Sequence, residues 1–363
     1  MSNRARLILL SGTDGPATAS VARATAEAAA DEGVHALLID GMAPDPDPGA
    51  VDLLTSSLGR VFADLGADPV HVDMWSSLPG VAHLATLNRI MAALADPSLD
   101  AVLVDCGDIR RARELVDFPQ VALRLLDALL TPRLAMLRGS ARGWPAGEAD
   151  DQQHATAFEA MSSLRSAIVR IQRALADPHS TARLVTTADE AAVSCILDAV
   201  SVFSLLGVGV DGVAVVGFPR KDDGWPRAFV DRQNEQVRRL RDGCAGTAVW
   251  KSGPRARPVP KDRSVLGPLG RVHVLDVEQL TVRVGDEDLE LDLPLVGPAI
   301  GASAVGRRGD DLVVAFEGVR RWLPLPPVLR RCRPSHAERT DAGLTVTFVP
   351  DDALWRQPAG ASS

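Results

Sequence analysis

Lysine is nearly absent from this chain: of 39 basic residues only Lys221, Lys251 and Lys261 are lysines, and none precedes position 221. Any function that needs an ammonium group from the N-terminal half is thereby excluded. Cysteine is also sparse. Cys106, Cys195, Cys244 and Cys332 stand far apart without a CxxC pair, which argues against a structural zinc site or a disulfide framework. The seven histidines show no HxxxH or HExxH spacing and no GxSxG elbow occurs, so neither a metal-dependent hydrolase nor a serine nucleophile has support, and no metal is expected. No apolar run approaches the ~20 residues of a membrane span. The N-terminus turns polar after Leu7–Leu10 without a signal-peptide core, so a cytoplasmic location is expected. With 47 acidic against 39 basic residues the net charge is −8, which argues against nucleic acid as a partner.

What is present is an ordinary globular composition, 46% apolar and 24% charged, over 363 residues, enough for about two domains. The first part alternates short apolar strands with Ala-rich helical stretches: a strand Arg6–Leu10, a turn Gly12–Pro16, a helix from about Ala17 to Glu32, and a strand Ala36–Asp40. Helices over 51–65 and 81–95 and a strand Ala101–Asp105 follow. Past a Gly-rich break at 139–151, an amphipathic helix is expected over Gln152–Ala176, then a strand at 182–186, a helix at 188–206 and a strand at 212–216. Near-continuous apolar strands between helices predict a doubly wound, mostly parallel α/β sheet. Residues 251–270 contain four prolines, three glycines and five basic residues, and are read as a linker with Arg255, Arg257 and Arg263 in solvent. Beyond it the apolar period becomes two, at 272–275, 280–284, 289–293, 312–316 and 344–348, which predicts a small antiparallel β-sandwich. The expected organisation is therefore residues 1–250, a linker 251–270, a self-contained β domain 271–356, and a tail 357–363.

A Gly-rich turn between a strand and a helix is the setting in which backbone amides and a helix N-terminus cradle phosphate. Here the turn reads Ser11-Gly12-Thr13-Asp14-Gly15-Pro16-Ala17-Thr18-Ala19-Ser20. With Leu37-Leu38-Ile39-Asp40, Val104-Asp105-Cys106, Arg183 to Glu190 and Gly207 to Val213, it resembles the ArsA family of anion-transporting and tail-anchored-protein-targeting ATPases, whose loop runs Gly-Lys-Gly-Gly-Val-Gly-Lys-Thr. The stretches Leu323 to Pro327 and Ala342 to Val346 resemble the α-crystallin-like (HSP20-like) domain that ends many bacterial ArsA homologues. The order of these stretches, more than any one of them, carries the resemblance.

The resemblance also exposes departures. It places the family's intermonomer lysine on Thr13, its phosphate-gripping lysine on Thr18, its magnesium-binding hydroxyl on Ala19 and its Walker B aspartate on Asp105. Pro16 withholds an amide, and Asp14 brings a carboxylate to where triphosphate charge would lie. A lost charge-assisted contact costs about 1.5–3 kcal/mol, and a like charge at about 4 Å up to roughly 4 kcal/mol. Together these correspond to about a thousandfold in affinity. The adenine-side asparagine falls on Val216 or Gly217, the switch I Asp-Pro has become Gly41-Met42-Ala43, and Asp108-Ile109-Arg110-Arg111 replaces the switch II Pro-Thr-Gly. Arsenite binding would need clustered cysteines, which are missing.

The expectation is a catalytically inactive ArsA-type homologue, with ATP and magnesium retained only in the alternative of an active ATPase with an atypical loop. A purely structural scaffold is the third possibility. As a binding protein it would partner an ArsA-type paralogue or a second copy of itself as a dimer, or hold hydrophobic protein segments. The residues expected to matter are the loop remnant Gly12, Thr13, Asp14, Gly15, Pro16, Ala17, Thr18 and Ala19, with Asp105. An interface is expected at Arg110, Arg111 and Arg113. For Phe158, Met161, Leu164 and Ile168 core packing is the first reading, because most amphipathic helices cover their own domain, and an apolar client face is the functional alternative. The GxGxxG at 207–212 follows a helix and precedes a strand, so it reads as a helix stop rather than a dinucleotide site. Cys106 and Cys195 are expected to be inert core thiols.

Overall fold

The computed structural model describes residues 5–41, 80–140, 148–219, 224–244, 246–253, 259–260, 263–266, 280–285, 288–297, 304–340 and 343–351, with the side chains of 81 and 128–161 excepted. The expected helix 51–65, strand 272–275 and tail 357–363, together with Met42, Ala43, Arg255 and Arg257, lie outside these residues.

Six strands, β1 (Arg6–Gly12), β2 (Ala36–Asp40), β3 (Ala101–Asp108), β4 (Ser180–Thr186), β5 (Gly209–Val215) and β6 (Ala248–Lys251), form one parallel sheet in the order β2-β3-β1-β4-β5-β6. Its residues alternate between two buried faces. Leu7, Leu9, Val102, Val104, Leu184 and Val213 point to one, and Ile8, Leu10, Leu103, Val185 and Ala214 to the other. Helix α1 (Gly15–Asp31) covers the second face with Val21 and Ala22. The first face is covered by α2 (Val81–Leu94), α3 (Ile109–Ser140), the end of α4 (Glu148–Leu175), α5 (Glu190–Leu206) and α6 (Arg227–Gly243). The doubly wound α/β class expected from the sequence is what is found. Helix α5 stops at Gly207, which takes the left-handed conformation (φ 82°) that a side chain resists, so the 207–212 glycines are a helix stop and strand start.

The sequence reading left out α3 beyond residue 113, α6 and β6. Helix α6 escaped because only Val237 and Leu240 are buried along its 17 residues. The C-terminal region forms two antiparallel sheets. One is β11-β10-β9, from β9 (Ala304–Arg308), β10 (Asp311–Phe316) and β11 (Val319–Pro324). The other is β12-β13-β8-β7, from β7 (Thr281–Val284), β8 (Leu289–Leu293), β12 (Cys332–Thr340) and β13 (Gly343–Pro350). Strand β12 is held by pairing with β13 rather than by apolar pattern, since only Cys332 in it is buried.

Packing bears on two features of this organisation. The described residues of 251–270 are tied to the sheet. Lys251 belongs to β6, Ser252 N donates to Val215 O (2.7 Å), Val265 is fully buried, and Val259 and Leu266 pack on the face that α1 leaves open. Arg263, the one arginine of this segment among the described residues, is exposed. The β domain is not insulated, because one apolar cluster runs from Leu9 and Val104 through Phe203 and Leu206 to Leu293, Val314 and Phe348. Helix α5 has 12 buried residues out of 17, more than one face can supply, because it lies between the sheet and the β domain.

Beneath the 264–266 segment lies a buried ionic cluster. Asp211 is the extra residue of a bulge in β5, between the pairs Ala182↔Val210 and Arg183↔Gly212. Its carboxylate accepts from Arg183 Nε (3.2 Å), Arg183 Nη2 (2.8 Å), Arg6 Nη2 (2.9 Å) and Thr181 Oγ1 (3.3 Å), with Arg183 and Asp211 both wholly buried. Arg183 Nη2 also donates to Val265 O (3.4 Å) and Arg6 Nη1 to Leu266 O, while Glu32 at the end of α1 accepts from the Val265 amide and the Ser264 hydroxyl. Removing one partner of a buried pair strands the other charge, so Asp211→Ala is expected to lower unfolding free energy by about 3–5 kcal/mol in urea titration. Arg283→Ala, which removes an exposed side chain of the edge strand β7 paired with Asp292 and Glu290 on β8, is expected to leave the midpoint near wild type.

Candidate functional site

An open cleft of about 630 Å³ lies at the carboxyl ends of β1, β3 and β4, the place where a doubly wound sheet receives ligands. Three helices begin there, and each helix start is occupied by an aspartate of its own. Asp14 Oδ1 accepts from Ala17 N (3.2 Å) at the start of α1, Asp108 Oδ1 from Arg111 N (2.8 Å) at α3, and Asp189 Oδ1 from Ala192 N (2.9 Å) at α5. All three line the cleft. A helix N-terminus offers partial positive charge and unpaired amides to an anion, and here a carboxylate already faces that charge and takes one amide of each. The Thr187 hydroxyl and the Ala192 amide hold the Asp189 carboxyl below the usual range. The one guanidinium in the lining, Arg110, is 73% exposed and paired with Glu114 (3.4 Å).

The Gly-rich turn is likewise committed to the fold. Thr13 N donates to Val185 O (3.0 Å), continuing the sheet, and the Thr13 and Thr186 hydroxyls meet at 3.2 Å. Thr18, where the family's phosphate-gripping lysine is implied, is buried and bonded back to Asp14 O through its hydroxyl (2.8 Å) and amide (2.9 Å). Pro16 has no amide, Ala19 no hydroxyl, and the Ala17 amide is held by Asp14. Among residues 13–18 this leaves at most the amides of Asp14 and Gly15 for a ligand. Gly12 is required by packing: a Cβ there would fall 2.3 Å from Val185 O and 2.6 Å from Thr18 Oγ1. Among the described residues no group of His, Cys, Asp or Glu could hold a metal ion. Three carboxylates, one exposed guanidinium and so few amides do not fit a magnesium-bound triphosphate.

Other expected residues scatter. Asp105 does not line the cleft. It sits inside β3 between Leu10 and Asp40, accepting from Gly107 N (3.0 Å), while Asp108 serves as the helix cap. Burial, then the charge of Asp40, pushes the Asp105 carboxyl up against the opposing pull of the Gly107 amide. Arg110, Arg111 and Arg113 do not make one patch, for Arg110 faces the cleft whereas Arg113 Nη1 donates to Glu317 O in the β domain (2.8 Å). Leu164 and Ile168 are not an open client face. They are buried with Leu126 between α3 and α4, and the side chains of Phe158 and Met161 lie outside the described residues.

Cys195 corrects the reading of core thiols in the opposite sense, being exposed at the cleft, whereas Cys106 is buried and its thiol pushed up to about 12 by burial. Burial and Asp198 also push the Cys195 thiol up, which favours its protonated form. Sequence reasoning missed Thr187, Asp189 and Cys195 as site residues. The Asp189-Glu190 step before an apolar helix is a capping signal, but only the crossing of strands brings it beside Asp14.

A family profile described as an anion-transporting ATPase matches residues 59–242, and one described as an HSP20-like domain found in ArsA matches residues 284–348. The Gly-rich turn lies outside the first match. The chain is 26% identical to an uncharacterized protein of Streptomyces coelicolor over 391 aligned residues, covering 96% of this chain and 99% of that protein. It is 23% identical over 334 residues to a Mycobacterium tuberculosis protein, covering 83% and 76%.

Two substitutions test the site's electrostatics. Asp14→Ala removes the α1 cap and is expected to cost about 0.5–2 kcal/mol in denaturant titration. For Asp105, whose carboxyl is raised in the folded state, the associated stability is complete below its ordinary pKa and is lost as pH rises through the raised value. Asp105→Asn keeps an oxygen for Gly107 N and removes the charge, so its melting temperature at pH 7 is expected to exceed wild type, with the difference vanishing near pH 3.

Proposed function

This chain belongs to the anion-transporting ATPase (ArsA) family and carries its HSP20-like C-terminal domain, and from that premise we propose that it is a non-hydrolysing member that acts by binding protein. The observation that carries the reading is the Asp14 carboxylate seated on the Ala17 amide in the first turn of α1, where the family resemblance places phosphate. Its companions Asp108 and Asp189 put like charge around any triphosphate that entered, and no lysine of the first 220 residues can offset it. The partner is an ArsA-type chain with both loop lysines intact, or a second copy of this one, approaching the exposed cleft mouth beside Arg110 in the cytoplasm. No helix among the described residues is long and apolar enough to cross a membrane. A chaperone-like grip on hydrophobic segments is the second reading. It finds its support in Val121 and Leu125, 55% and 60% exposed on consecutive turns of α3, rather than in the covered Leu164 and Ile168.

The test is calorimetric titration with MgATP. Dissociation weaker than about 1 mM is expected, corresponding to less than about 4 kcal/mol of binding, and a micromolar constant or nucleotide retained through purification would overturn the proposal. Thr18→Lys combined with Ala19→Thr is expected to restore no hydrolysis, because Asp14, Pro16 and the altered switch at 108–111 remain and phosphoryl transfer needs the whole electrostatic array. For the partner, co-expression with a lysine-intact paralogue followed by light scattering is expected to give a complex that Arg110→Glu weakens. A monomer with every such paralogue would leave the scaffold reading.

A further inference from the structure

Of the three helices that open at the cleft, α3 and α5 also hold the C-terminal domain. On α3, Arg113 Nη1 donates to Glu317 O (2.8 Å) and Gln120 Nε2 to Arg320 O (2.8 Å). Gln120 Oε1 accepts from Arg321 Nη1 (3.0 Å), and Arg124 pairs with Asp311 (2.9 Å) with its guanidinium 4.0 Å above the Trp322 ring. Positions 113, 117, 120 and 124 recur at three and four, so one face of α3 is gripped over three turns by β10, β11 and the turn between them. On α5, Ser204 Oγ accepts from Val296 N (2.7 Å). Gly297 (φ 123°) approaches so closely that a Cβ would fall 2.1 Å from Ser201 Oγ and 2.8 Å from its backbone. Arg113 is one helical turn from Arg110 in the cleft, and Asp198, which feels the charge of Glu317, is one turn from Cys195.

The two attachments differ in kind. The α5 seat belongs to the continuous apolar cluster and admits no extra atom at Gly297. The α3 contact is fastened by hydrogen bonds and an ion pair, and the charges of Asp117 on α3 and Arg321 on β11 attract each other across it, although Asp117 Oδ1 and Arg321 Nε make no hydrogen bond. Polar groups held in this way exchange their partners for water when the surfaces part, so this contact opens at less cost than the apolar seat. A firm apolar seat beside a polar contact is the arrangement of a hinge and a latch. We propose that the β10–β11 hairpin latches α3, so that displacement of residues 108–113 at the cleft and release of the hairpin are one coupled event. Coupling of this kind is reciprocal: whatever shifts the start of α3, a partner chain included, loosens the hairpin, and whatever lifts the hairpin frees the start of α3. The inference stands whether or not a nucleotide binds.

Amide hydrogen exchange of the full chain tests it from both ends. In the Gln120→Ala, Arg124→Ala double variant, segments 109–118 and 311–324 are expected to exchange about tenfold faster than wild type, an ordinary coupling magnitude, with β5 and β13 unchanged. In Asp108→Ala, which loses only the cap at the cleft, the distant 311–324 segment is expected to lose protection as well. A merely local role for the cap would loosen 109–113 and nothing else. Faster exchange at 311–324 with 109–118 unchanged in the double variant, or no change in either segment, overturns the latch. If β5 loses protection in the double variant, Arg113→Ala, which removes a single contact to Glu317, is read instead, and again 109–118 and 311–324 must move together for the proposal to stand.

Discussion

Two arginines sharing one buried aspartate constrain much of this molecule. Asp211 is turned inward by the bulge in β5, and Arg183 and Arg6 reach it from β4 and β1, so three adjacent strands are sutured at their amino-terminal ends. The cluster presents guanidinium donors to its surroundings. The carbonyls of Val265 and Leu266 lie against it, which draws the 264–266 segment down onto the sheet. Neither group could be left alone in an apolar interior, since an unpaired buried charge is far costlier than the paired one. The tie therefore fixes the strands' register, and that register places Gly12 against Val185 and the mouth of β1 beside that of β4.

From that register follows the character of the cleft. Parallel strands end together, and the helices that leave them start together, so three helix dipoles converge on one volume. In a nucleotide-binding protein that convergence serves phosphate. Here Asp14, Asp108 and Asp189 satisfy the amides locally, with helix stability as the immediate gain. The carboxylates at this convergence come from one residue type at three positions far apart in sequence, Asp14, Asp108 and Asp189.

The relation between the two parts of the chain has its own physical basis in α5. A helix that is apolar on nearly all sides must be enclosed, and the parallel sheet covers only part of it. The C-terminal strands cover the rest, which is why the core runs without interruption from Leu9 to Phe348. The polar grip on α3 is secondary to that enclosure, and it gives the pair of domains a contact that can yield while the seat on α5 holds.

Periodicity and composition by themselves determined the parallel sheet, because strands such as Ala101–Val104 are apolar on both faces and can only be covered on both. They likewise determined the alternating strands of the β domain, the Gly207 stop and the absence of any lysine near the Gly-rich turn. A pattern records that a residue wants burial or a charge wants a partner, and it does not name the partner. Only tertiary structure decided that Val265 in a Pro-rich segment is core, that Leu164 and Ile168 face α3, that Cys195 is exposed and Cys106 buried, and that Arg113 is bound to Glu317 while Arg110 lines the cleft. The capping role of Asp14 could be read locally. Its meeting with Asp108 and Asp189 could not, since that depends on the crossing of strands that brings residues 14, 108 and 189 to one end of the sheet.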